Sequence, residues 1–154
     1  AGFEEVKDGS APVAWKIPTP YEVRDGVGRT GGRALVVEAE KPFAYVVPQQ
    51  EIDVLPGTCY HASAWMRTTD VMNGRVSVCL EWYDAQGHWL NGAYPQGIAG
   101  TGDWRQVHVV SQRLPTNAAK LTVCVSPTMP VSMNFHHQLS FYKHFYLKGY
   151  FHKL

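Results

Sequence analysis

The chain has 154 residues, 45% hydrophobic, 18% charged and 12% aromatic, with a formal net charge of +1. That composition fits one globular domain with its own core and excludes a disordered chain. Scattered basic residues at near-neutral charge exclude nucleic acid and anionic membrane as partners, and no apolar run approaches the ~20 residues that cross a bilayer.

The chain opens at Ala1-Gly2-Phe3-Glu4-Glu5. This start carries no signal-peptide pattern, as expected of a mature product or an excised module. Short alternating runs follow, predicting strands at 12–16, 21–24, 33–40, 43–47, 58–68, 74–83, 88–91, 104–111, 119–126 and 133–142,. Turn pairs separate many of them: Asp25-Gly26, Gly31-Gly32, Pro56-Gly57 and Asn73-Gly74,. Helical periodicity is almost absent, and there is no internal repeat or low-complexity linker. The pattern implies an all-β sandwich or barrel.

Parity assigns the faces of the longer strands. Tyr60, Ala62, Ala64 and Met66 point inward, leaving His61, Ser63, Trp65 and Arg67 outward,. Val76, Val78, Leu80 and Trp82 are core, with Ser77, Cys79, Glu81 and Tyr83 on the other side. Leu121, Val123 and Val125 are core, with Thr122, Cys124 and Ser126 facing away. The outward set holds rings and hydrogen-bonding groups among small residues, instead of the Lys and Glu of a solvated face. Such a face suggests a binding platform. Trp15, Trp82 and Trp104 are assigned to the core. Trp89 and Tyr94 fall in the Gly- and Asn-rich stretch from Gly87 to Gly102, where they wall a cleft or anchor the loop to the rim.

Cys59, Cys79 and Cys124 all fall on the less apolar faces of strands. They read as three small buried thiols, or as one cross-strand disulfide and a free thiol. No Cys-x-x-Cys spacing points to a metal. Among the seven histidines, His136 and His137 are neighbours on a strand and face opposite ways, and His144 and His152 sit in the tail. No converging imidazole site is expected.

Several segments in order resemble the carbohydrate-binding modules of the family 4, 9, 16 and 22 group. They are Gly2-Phe3-Glu4-Glu5, Pro12 to Trp15, Gly31 to Glu38, Tyr60 to Arg67, Leu80 to Gly87, Gly102 to Val107 and Pro115 to Ala119. The resemblance implies a β-sandwich jelly roll of the galactose-binding-like kind over residues 1–142. The stretch 143–154 is then a C-terminal tail of uncertain role. It also implies a non-catalytic module that holds a polysaccharide chain in a cleft on the concave sheet. Xylan, β-glucan or glucomannan are the glycans it suggests, with a covalently linked glycoside hydrolase and secretion from the cell. In such a site a flat ring covers the apolar C–H face of a sugar, while carboxylates, Arg and amides take its hydroxyls. The ligand residues implied are Trp65, Tyr83, Glu81, Arg67, His61, Trp89 and Tyr94, with Gln106 and His108 extending the face.

The family also implies a structural calcium ion held by Glu4 and by carbonyls near Thr30 to Arg33. Phe135-His136-His137 stands where family members carry acids, and imidazole suits calcium poorly. Two other readings compete. One is a polysaccharide lyase in which His61, Arg67 and Tyr83 form one site. The other is a structural or protein-interaction sandwich that docks through its aromatic tail.

Overall fold

A computed structural model describes residues 6–7, 11–12, 14–38, 47–128 and 145–153. Every regular element among them is a strand, as the alternation requires. In chain order these are β1 (Val6–Lys7), β2 (Ala11–Pro12), β3 (Trp15–Lys16), β4 (Tyr21–Arg24), β5 (Ala34–Val37) and β6 (Gln49–Asp53). Then come β7 (Tyr60–Tyr83), β8 (Trp89–Ala93), β9 (Ile98–Val110), β10 (Lys120–Thr128) and β11 (Phe145–Lys153). All pairings are antiparallel.

The organising element is β7, which is 24 residues long and pairs with four other strands. Its first part pairs with β9 on one side and β11 on the other. Its second part pairs with β10 and β8. One layer therefore runs β4-β5-β11-β7-β9, and the other runs β3-β6-β10-β7-β8. The strand changes layer around Asp70, which has φ of 53°, a left-handed conformation that Asp tolerates better than most residues. The Asp70 amide donates to Thr101 Oγ1 at 2.9 Å, and the Thr101 hydroxyl donates back to Asp70 Oδ1 at 2.9 Å. Register shifts between Met66 and Val76 mark the same bend, since bulges are how a ladder turns a corner. The turn read at Asn73-Gly74 is corrected here: those residues lie within β7, and the two strands expected at 58–68 and 74–83 are one.

The even-numbered residues of both parts of β7 enter one core. Tyr60, Ala62, Ala64, Met66, Val76, Val78, Leu80 and Trp82 pack with Leu35, Val107, Val109, Leu121, Val123 and Val125. Full burial of each large aliphatic side chain contributes about 1.5–3 kcal/mol. The inward and outward sets read from parity hold in all three segments. The chain is an all-β sandwich jelly roll.

Three sequence expectations change. Trp15 and Trp82 are buried, but Trp104 is not part of the core; its ring lies outside, near the Arg67 guanidinium. Strand β6 was not foreseen, although Gln50, Ile52 and Val54 alternate inward there. The segment set apart as a tail contains β11, a strand paired between β5 and β7. Glu4, His136, His137 and the strand expected at 133–142 lie outside the described residues, as does nearly all of 43–47. Cys59, Cys79 and Cys124 are free thiols.

Candidate functional site

Because the even-numbered residues of β7 share one core, its odd-numbered residues look away from it. In the two layers they therefore look in opposite directions. This splits the sequence-derived site in two. Glu81 and Tyr83 lie on the outer face of the β3-β6-β10-β7-β8 layer. His61, Trp65 and Arg67 lie on the outer face of the other layer.

The first group is built around a carboxylate. The Tyr83 hydroxyl donates to Glu81 Oε2 at 2.7 Å, and the Tyr94 hydroxyl donates to Glu81 Oε1 at 2.6 Å. Two residues along one strand are on the same face, which brings Tyr83 over Glu81. Tyr94 arrives from the loop after β8. It reaches Glu81 because the β8 residue paired with Glu81 is Gly92. A Cβ on Gly92 would stand 2.5 Å from the Tyr94 hydroxyl oxygen and 2.6 Å from two of its ring carbons. Glycine is what lets the ring lie across the strand.

Burial first, and then the bond to Glu81, raises both phenols well above the ordinary tyrosine range. Each therefore stays a proton donor and fixes the orientation of the carboxylate.

The turn from Asp84 to His88 presents Trp89. Asp84 Oδ1 accepts from the amides of Gln86 and His88 at 2.9 and 2.8 Å, and Asp84 Oδ2 meets His88 Nδ1 at 3.0 Å. The Trp89 ring, at the start of β8, stands 54% exposed, and Tyr94 is 50% exposed. Exposed rings held by an ordered turn are suited to stacking.

The floor beside them comes from strands whose pairing was not legible in the sequence. The rows run Glu51-Thr122-Glu81-Gly92 and Gln49-Cys124-Cys79 across β6, β10, β7 and β8. Gln49, Glu51, Tyr83, Gly87, Lys120 and Thr122 line an open cavity of about 240 Å³. Glu51 takes Lys16 at 2.6 Å and Lys120 at 3.4 Å. The Lys16 hydrogen bond and charge, with a smaller part from Lys120, hold its carboxyl below the usual range. Beneath the floor, Cys79 and Cys124 face one another across β7 and β10. The Cys124 thiol, raised by its hydrogen bond to Cys79 and by burial, stays protonated.

The second group makes a different surface. The Arg29 guanidinium sits 3.6 Å from the centroid of the Trp65 ring, and that of Arg67 sits 5.5 Å from Trp104. His61 Nε2 and His108 Nδ1 are 3.2 Å apart. Gln106 donates to Ser63 Oγ at 3.4 Å. One face of the Trp65 ring is covered by Arg29.

Of the seven residues singled out as ligand-binding, the structure brings Glu81, Tyr83, Trp89 and Tyr94 together. His61, Trp65 and Arg67 are kept apart from them. A lyase site made of His61, Arg67 and Tyr83 is therefore excluded, because the core separates the first two from the third.

No family model and no curated protein matches the sequence. Solved structures do match. The CBM22-2 xylan-binding domain of Paenibacillus barcinonensis Xyn10C is 17% identical, with 100% of this chain and 98% of that one covered and a TM-score of 0.59. The C-terminal family 22 carbohydrate-binding module of Clostridium thermocellum Xyn10B is 18% identical, with 96% and 88% covered and a TM-score of 0.57. The CBM22-1–GH10 modules of Xyn10B from C. thermocellum, complexed with xylohexaose, are 12% identical with a TM-score of 0.62. There 90% of this chain is covered but only 25% of the longer one, so this chain spans about a quarter of that two-module protein. These likenesses establish the jelly-roll fold.

Proposed function

We propose that this chain is a non-catalytic carbohydrate-binding module that holds a β-linked glycan chain against the outer face of the β3-β6-β10-β7-β8 layer. The observation that carries it is the pair of exposed rings, Trp89 and Tyr94, beside a carboxylate, Glu81, whose position is set by two phenols. A pyranose ring stacks its C–H face on an exposed aromatic ring. A carboxylate has about four acceptor positions. Tyr83 and Tyr94 use two, and the remainder are available to sugar hydroxyls. Gln49 and Thr122 offer neutral donors and acceptors along the floor. Several solved structures of similar fold are xylan-binding domains, which favours xylan among neutral glycans.

The charge arrangement supports binding over hydrolysis. Glycoside hydrolysis uses one carboxyl with a raised pKa as a general acid beside a second carboxylate. Here Glu51 is held low by Lys16, and both oxygens of Glu81 accept phenolic hydrogen bonds. In this reading the module is secreted as part of a polysaccharide-degrading enzyme. It works by raising the effective concentration of its attached catalytic domain at the substrate.

A structural calcium ion belongs to the same reading. A Cβ on Gly28 would meet the carbonyl oxygens of Gly32 and Arg33 at 2.7 and 2.8 Å. The Gly32 carbonyl accepts the Gly28 amide at 2.8 Å; the resemblance places calcium ligands in this turn, and backbone carbonyls are the hard oxygen donors that calcium takes. The resemblance names Glu4 as a further ligand, so added calcium should raise the melting temperature of the chelator-treated protein but not of Glu4→Gln.

Affinity gel electrophoresis against xylan, mixed-linkage β-glucan and glucomannan tests the function. Retardation by at least one glycan, lost in folded Tyr94→Ala, is expected. A folded protein retarded by none would favour the structural or interaction-domain reading.

A further inference from the structure

Glu51 repeats, two strands away, the arrangement found at Glu81. The two residues lie in one row: Glu51 on β6 pairs with Thr122 on β10, and Thr122 pairs with Glu81 on β7. Directly paired residues share a face, so both carboxylates stand on the outer face of this layer with Thr122 between them. Each oxygen of each carboxylate meets a donor. Glu81 Oε2 and Oε1 take the Tyr83 and Tyr94 hydroxyls at 2.7 and 2.6 Å. Glu51 Oε1 and Oε2 take the Lys16 and Lys120 ammonium groups at 2.6 and 3.4 Å. A carboxylate offers about four acceptor positions, so Glu51, like Glu81, keeps some for a ligand. The Glu51 side chain is 38% exposed, and it lines the open cavity of about 240 Å³ together with Thr122.

The spacing of the two carboxylates matches a repeating chain. Neighbouring strands lie ~4.8 Å apart, which sets Glu51 and Glu81 roughly 9.6 Å apart along the row. That is close to the length of two sugars in an extended β-1,4-linked chain. Successive sugars of such a chain are turned over, so every second sugar presents the same edge. A chain lying along the row presents like edges to Glu81 and Glu51. The turned-over sugar between them lies over the cavity, where Lys120 and Gln49 offer donors instead of a carboxylate.

We propose that Glu51 is a second sugar-reading carboxylate of the glycan site, one that takes the second sugar along from the sugar at Glu81. The inference rests on the glycan-binding reading above. It adds a direction for the chain, across the strands from β8 to β6, and a minimum length of three sugars. Lys16 and Lys120 fix Glu51 as the two phenols fix Glu81. A β-1,3 linkage turns a chain off the row, so only one of the two carboxylates is met.

Isothermal titration with β-1,4-linked xylo-oligosaccharides of two to five sugars tests this. A disaccharide at Glu81 does not reach Glu51, and a trisaccharide does. A hydrogen bond to an ionised carboxylate is among the stronger ones, so affinity should rise at least tenfold from the disaccharide to the trisaccharide. Glu51→Gln, shown to be folded by its thermal melt, should remove most of that step. Glu51→Asp keeps the charge but draws the carboxylate back, and should also shrink it. β-1,3-linked oligosaccharides of equal length should show no step at three sugars. Equal affinities for disaccharide and trisaccharide would overturn this inference while leaving glycan binding intact, and so would a step that survives in folded Glu51→Gln. Failure to bind any oligosaccharide or any of the three polymers would overturn the reading beneath it, and this one with it.

Discussion

Gly92→Ala isolates the device that places Tyr94. The new methyl carbon would lie 2.5 Å from the Tyr94 hydroxyl oxygen, well inside van der Waals contact. Tyr94 is 50% exposed, so its ring can swing outward while β8 stays in place. The variant loses the Tyr94–Glu81 hydrogen bond, worth about 1 kcal/mol at a solvent-facing position. It gains a comparable amount from the reduced freedom of the unfolded chain. The net stability change should stay within about 1 kcal/mol, or roughly 2–4 °C in melting temperature. Binding should suffer more. Loss of one well-placed ring from a small site costs about 2 kcal/mol, which is roughly 30-fold in Kd. Isothermal titration with the best glycan, beside a thermal melt, reads both. Unchanged affinity in Gly92→Ala alongside lost affinity in Tyr94→Ala would refute the steric reasoning. A fall in melting temperature far beyond a few degrees would refute it equally.

Further outcomes follow from the same geometry. Trp65→Ala should leave glycan affinity unchanged, since Trp65 lies under Arg29 on the opposite face; electrophoresis in glycan-loaded gels checks this. Tyr83 and Tyr94 have phenols raised in the folded state, so their contribution is complete below the ordinary value near ~10 and is lost only as pH rises well past it. An alkaline absorbance titration should show one late-ionising phenol fewer in Tyr83→Phe. Glu51 has its carboxyl lowered by Lys16 and Lys120, so its small contribution is complete above the ordinary value near ~4.3 and fades as pH falls below it. Glu51→Gln should flatten that acid limb slightly in melting curves taken between pH ~6 and ~3. Removal of residues 145–153 should abolish folding, because it strips one neighbour from both β5 and β7; circular dichroism of the truncated chain reports it.

How much of this was legible in the sequence depends on what parity can report. Alternation distinguishes inward from outward, and it did so for Tyr60 to Arg67, Val76 to Tyr83 and Leu121 to Ser126. It does not say which layer a strand enters. The change of layer at Asp70 depends on Thr101, 31 residues away. Glu81 and Trp65 therefore read as one face and are two. The floor residues Gln49, Glu51, Lys120 and Thr122 meet through pairings between distant strands, which no local pattern encodes. The tail shows the same limit: His152 comes opposite His61 only because β11 inserts between β5 and β7. Trp89, Tyr94 and Glu81 were legible because each is a local signal, an aromatic in a Gly-rich loop or a lone acid on an outward face.

The most direct measurement is a heteronuclear NMR titration with xylohexaose, read amide by amide. Shifts should cluster on Glu81, Tyr83, Trp89, Gly92, Tyr94 and Thr122, with His61, Trp65 and His108 unmoved. Shifts gathered around Trp65 and His108 would place the site on the wrong layer. No shifts with xylohexaose or with oligosaccharides of β-glucan and glucomannan would contradict glycan binding itself.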